Sequence, residues 1–179
     1  MSFENLRSAS TVPRFLLATL AAAFAMGAAA TPAGAAIDPP VSVESCSYIP
    51  PERDLSVTKI VYEVGKSRGV SEKVMLAAFE AGWIESNMNN LNCGDLDSLG
   101  VFQQRPSQNW GTPEQIRDVR YAATKFFERA QTLEPLFPGL SAGLLADEVQ
   151  NSCCPYKYDQ AETKARSLLD EVKRLLPNL

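Results

Sequence analysis

Between Glu72 and about Ser86, Met75, Leu76, Phe79 and Trp83 recur at helical spacing, so one face of this segment belongs against a core. Directly behind it, Asn87 to Asp97 holds too many Asn and Asp residues for regular structure. The helix therefore ends beside an acid, Glu85, at the mouth of a polar loop. An apolar-amide stretch follows, Ser98-Leu99-Gly100-Val101-Phe102-Gln103-Gln104-Arg105. A carboxylate at such a junction suits general acid/base work on a sugar.

The remaining segments also read as helices with their own start and stop signals. Asp54 is placed to cap a helix from Leu55 to Arg68, with Leu55, Ile60, Tyr62 and Val64 as apolar positions and Gly69 as its stop. Ser71 caps the Glu72 helix, and Thr112-Pro113-Glu114-Gln115 spells a capping box with Pro at the first helical position. A longer helix spans Val119 to Leu133, another runs from Ser141 to about Gln150, and a last one from about Gln160 to Leu176 takes Asp159 as its cap. No internal repeat and no alternating apolar run long enough for a buried sheet is present. The expected fold is mostly α, a compact helical domain with an active-site loop and a short β-hairpin near Asn92 to Gln103.

The N-terminus carries an export pattern. Arg7 and Arg14 precede the apolar run Phe15 to Ala30, and Ala33-Gly34-Ala35-Ala36 offers a small-residue cleavage site after Ala35. This gives a signal peptide over 1–35, an arm over 36–53 and a domain over 54–179. The expected mature protein is secreted or wall-associated, monomeric and without stable membrane attachment. A formal net charge of −4 argues against a nucleic-acid binder. The complete lack of histidine removes Ser-His-Asp and Cys-His chemistry and the usual His-ligated zinc sets. No metal and no cofactor is expected.

Four cysteines, Cys46, Cys93, Cys153 and Cys154, fit an oxidising compartment. Adjacent cysteines reach standard disulfide geometry with difficulty. The expected pairing joins Cys46 and Cys93 each to one member of Cys153-Cys154.

Glu85-Ser86 near a helix end, with Ser98-Leu99-Gly100-Val101-Phe102-Gln103 behind it, resembles the Glu-Ser and Gly-Leu-Met-Gln motifs of the soluble-type lytic transglycosylases, in the lysozyme-like superfamily. Asn90-Leu91, Gly94 to Ser98, Gln103 to Gln108 and Trp110 to Pro113 look closer still to a group of secreted, lysozyme-like actinobacterial proteins. The resemblance covers roughly Val74 to Ser152. It implies a lysozyme-like fold and cleavage of the peptidoglycan glycan strand between its two amino sugars. Glu85 would be general acid and then base, Ser86 would steady the site, and Gln103 would line the sugar cleft. In the family's third motif, Ala-Tyr-Asn, Val149-Gln150-Asn151 supplies Asn151 but puts Gln150 where the Tyr belongs. Tyr156 and Tyr158 are the nearby residues that could stand in for it.

Read from the residues alone, Val74, Ala78, Ala81 and Glu85 form a small-residue stripe, on which partial burial would raise a carboxyl's pKa. Glu80 has similar apolar neighbours, and periodicity does not choose between the two acids. Asp95 and Asp97 are candidates for a second carboxylate, or else turn formers beside Gly94. Gln103, Gln104, Arg105 and Gln108 offer donors suited to N-acetyl and hydroxyl groups, and Arg105 is equally placed to pair with Asp95 or Asp97. Among the aromatics, Phe102 reads as core, whereas Trp110 and Tyr156 are candidate platforms for sugar rings. A non-catalytic wall-glycan binder and a disulfide-stapled interaction protein are the alternative function classes.

Overall fold

The computed structural model describes residues 43–154 and 156–178, which form six α-helices. These are α1 (Leu55–Ser67), α2 (Glu72–Ser86), α3 (Pro113–Arg117), α4 (Val119–Leu133), α5 (Ala142–Gln150) and α6 (Glu162–Leu175), with single 3-10 turns at Pro106–Gln108 and Asp159–Ala161. The expected leader over 1–35 lies outside the described residues. Within them, no helix is long and apolar enough to cross a membrane.

Side chains close the helix starts where the sequence places them. Asp54 accepts from the Ser56 and Val57 amides, Ser71 from Val74 and Ser141 from Leu144. At α3 the box is reciprocal: Thr112 accepts from the Gln115 amide, and the Gln115 side chain accepts from the Thr112 amide at 2.9 Å. The last helix departs from expectation. A 3-10 turn runs into α6 from Tyr158, so backbone bonds fill the first amides and Asp159 is no cap. Its carboxylate instead accepts from the Ser141 hydroxyl at 2.8 Å.

Helix α2 is the centre of the molecule, packing most extensively against α5 and α6 and also against α4, while α1 lies on α4. The spacing predicts one buried face; the structure buries every residue from Val74 to Gly82. Small residues make this possible, because Ala77, Ala78, Ala81 and Gly82 let neighbours approach from all sides. At Gly82 a methyl group would sit only 2.3 Å from the Met88 sulfur. Trp83, expected in the core, is only half-buried, with the Lys164 ammonium over its ring at 4.3 Å. Phe102 is core as expected, stacked on Phe126 with centroids 4.8 Å apart.

After α2 the chain reverses through two left-handed residues, Asn87 (φ 52°) and Met88 (φ 58°), which drops Met88 into the core. The expected hairpin reduces to an isolated bridge between Leu99 and Gln104, two bonds of 3.0 Å around a turn in which Gly100 has φ 75°. The described part of the arm packs along this loop. Glu44 accepts from the Gly94 amide at 3.0 Å, Pro50 and Glu52 accept from Asn87 and Asn89 side chains, and Arg53 forms a two-pronged ion pair with Glu171.

That docking explains why the expected cysteine pairing is wrong. It brings Cys46 to Cys93, with Cα atoms 5.0 Å apart, and leaves Cys153 and Cys154 to pair with each other in the turn after α5. The Cys46–Cys93 link closes a loop spanning 47 residues, for which chain entropy gives a stabilisation of about 4 kcal/mol. Replacing both with Ser should lower the unfolding free energy by about 2–4 kcal/mol in urea titrations. A loss under about 0.5 kcal/mol would mean the arm's hydrogen bonds hold the loop unaided.

Candidate functional site

Glu85 emerges on the last turn of α2, where the buried stretch gives way to the loop. Its side chain keeps 15% of its exposure. One carboxyl oxygen, Oε1, accepts two hydrogen bonds, from the Tyr158 hydroxyl at 2.6 Å and from the Lys157 ammonium at 2.9 Å. The other, Oε2, has no hydrogen-bond partner among the described residues. Burial, with the Glu85 charge beside it, pushes the Tyr158 phenol far above its ordinary range. Tyr158, 1% exposed, therefore remains a donor at any working pH.

Of the two nearby tyrosines, Tyr158 is the one that reaches the Glu85 carboxyl, whereas Tyr156 is 63% exposed. Gln150 does a different job, donating to the Phe102 carbonyl at 2.6 Å and tying the end of α5 to the apolar-amide segment. Lys157 was not among the residues the sequence singles out. It lies 72 positions from Glu85, and no local pattern marks it.

Ser86 is buried and its hydroxyl donates to the Val101 carbonyl at 2.7 Å, with the Gly82 carbonyl at 3.1 Å. The hydroxyl also accepts from the Asn89 amide at 3.1 Å. It fixes the α2 end against the Gly100–Phe102 turn and so steadies the backbone under Glu85. Gln103 folds inward, its amide donating to the Cys93 and Gly100 carbonyls at 3.2 Å each. Gln104 is buried and donates to the Ala122 carbonyl at 3.3 Å. In this structure the Gln103 amide ties the loop to itself and the Gln104 amide ties it to α4.

Asp97 and Arg105 find each other, with Nε 2.5 Å from Oδ1, and Asp97 also accepts from the Ser107 amide and hydroxyl at 2.8 and 3.0 Å. Burial alone would raise the Asp97 pKa, but hydrogen bonds from Arg105 and Ser107 outweigh it and hold it at about 2. Asp97 is thereby committed to closing the loop. Asp95 is exposed and its carboxylate makes no hydrogen bond among the described residues.

Trp110 and Asn151 stand elsewhere. Trp110 is 3% exposed, with the Arg129 guanidinium 3.5 Å over its ring, so the ring is not an open platform. It lines a cavity of about 560 Å³ with Asn109, Thr112, Gln115 and Tyr121. Asn151 closes α5 in a left-handed conformation, φ 51°, and borders a separate hollow between α4 and α5. Its position suits the helix end it terminates. Among the described residues no three His, Cys, Asp or Glu side chains are placed to hold a metal.

No protein-family model matches the chain, and no curated protein does either.

The Asp97 cluster carries a pH signature. Its folded pKa lies below the unfolded value, so it stabilises the fold at neutrality and loses that contribution as pH falls from about 4 toward 2. Allowing for solvent screening, Asp97→Asn should lower unfolding free energy at about pH 7 by about 1–2 kcal/mol. The gap between wild type and variant should close by about pH 2, measured by urea unfolding across the range.

Proposed function

We propose that this protein is a secreted, lysozyme-like enzyme that cuts the glycan strand of peptidoglycan, with Glu85 as its general acid/base. What supports this is the asymmetry of the Glu85 carboxyl: Oε1 is held by two donors, while Oε2 has no hydrogen-bond partner among the described residues. Two fixed donors on one oxygen set the orientation of the group, and the open oxygen is the one available to hold and hand over a proton. Oε2 gives its proton to the glycosidic oxygen as the C–O bond breaks. It then takes a proton from the hydroxyl that attacks the anomeric carbon, which restores the acid.

The attacking hydroxyl decides the product. A hydrolase uses a second carboxylate to direct water, and Asp97 is bound to Arg105 and Ser107. With that candidate occupied, attack by the sugar's own hydroxyl is favoured, which leaves an anhydro end. Asp95, exposed and with no hydrogen bond to its carboxylate among the described residues, is the residue through which water attack and a reducing end would arise. The Cys46–Cys93 disulfide is in keeping with an exported protein. The partner in this reading is the glycan strand, and the protein works as a monomer.

The ion pair to Lys157 favours a second reading, since a paired glutamate also serves purely structural ends. That reading is a wall-glycan binder without catalysis.

Mass spectrometry of purified peptidoglycan incubated with the oxidised protein separates the two. Wild type should release anhydro-ended fragments, and Glu85→Gln should reduce the rate by at least about 100-fold while still retaining glycan. Tyr158→Phe, which loses one orienting donor but leaves the acid, should fall between them at roughly 10-fold. If wild type binds glycan strands but releases no fragments from acid to neutral pH, the binder reading stands instead.

A further inference from the structure

On another side of α2, five residues before Glu85, sits an acid the proposed chemistry does not use. Glu80 is 1% exposed, and its Oε2 has no hydrogen-bond partner among the described residues. It lines a cavity of about 330 Å³ whose other walls are Glu72, Lys73 and Leu76 of α2, Ser141 and Ala142 at the start of α5, and Glu162 and Arg166 of α6. We propose that this cavity is a binding site for a small alkylammonium compound, with Glu80 as the anchor for its charged head. The proposal stands independently of the glycan-cleavage reading.

The charges around the cavity select the ligand. Lys73 is engaged by the Pro138 carbonyl at 3.2 Å and approaches Glu134 at 3.8 Å, and Arg166 is held by Glu162 at 2.8 Å. The Ser141 hydroxyl donates to Asp159 and accepts from the Leu144 amide. Glu80 lines the same cavity, its Oε2 has no donor among the described residues, and Asp159 and Glu162 add negative field at its carboxyl. An anion would meet that field unfavourably. An ammonium would supply the missing donor and reach the rim acids as well.

Size and lining exclude a bare metal ion. The volume is that of a small-molecule site, the acids around it are not placed as a metal-holding group among the described residues, and Leu76 and Ala142 offer apolar wall to a short hydrocarbon stem. The state of Glu80 then links binding to pH. Burial above all, with Asp159 and Glu162 adding and Arg166 opposing, pushes its pKa up to about 8. Below that value an ammonium must first displace the carboxyl proton; above it the carboxylate is already formed.

Butylammonium, which keeps its charge through this range, is the probe, and butanol is the neutral control. Calorimetric or NMR titration of the oxidised protein should show butylammonium binding that tightens roughly 10- to 100-fold between about pH 6 and about pH 9. Butanol should show no such rise. Glu80→Gln should weaken butylammonium at about pH 9 by at least about 10-fold and flatten its pH profile. If that variant fails to fold, the wild-type Glu80 carboxyl followed by carbon NMR decides: saturating butylammonium should lower its titration midpoint by at least about one pH unit. An unmoved midpoint overturns the proposal. So do equal, pH-independent binding of butanol and the absence of any butylammonium binding in the millimolar range.

Discussion

Burial of α2 on all sides is the condition on which the rest of the structure depends. From Val74 to Gly82 the helix has no solvent face, so α1, α4, α5 and α6 are located by where its alanines and its glycine let them come close. A helix packed this way sets its C-terminal turn rigidly. Glu85 inherits that position, and the Ser86 hydroxyl carries it across to the Val101 carbonyl. The loop beyond is irregular in sequence but not loosely held. Met88, Leu99, Val101 and Phe102 all enter the core from it.

The same burial places two acids in contrasting surroundings on one helix. Glu85 meets donors from the segment after α5, and one of its oxygens is fully used. Glu80 is buried with acids nearby and only Arg166 opposing them, and a buried polar atom without a partner among the described residues typically costs about 1–3 kcal/mol. Periodicity treats the two alike, since both lie on the same apolar-rich helix. What separates them is the turn from Lys157 to Glu162, which sends a lysine and a tyrosine to one and acids toward the other.

This contrast also marks what a sequence can disclose. Helix starts were legible because caps are local: Asp54, Ser71, Thr112 with Gln115, and Ser141 each act within three residues. Asp159 misled because a 3-10 turn, whose bonds depend on how the chain enters α6, filled the same amides first. The Arg105–Asp97 pair, eight residues apart, was within reach as one of two options. Trp110 was not, because the Arg129 guanidinium that lies over its ring comes from α4, and Tyr158 could be named only as one of two tyrosines. The cysteines failed for the same reason. Adjacent thiols are a poor prospect in isolation, but the arm's docking at Gly94 leaves them no distant partner.

The arm is tied to the helical domain at two points. Its described residues are fastened at both ends, by the sulfur bond to Cys93 and by the Arg53–Glu171 pair, while Ser47, Tyr48 and Ile49 between them are exposed. Exposed backbone of this kind is where a protease finds entry. A cut there would not release the upstream piece, which would stay covalently joined through Cys46. The nicked product would travel as one species until its disulfide was reduced, and only then separate into two chains.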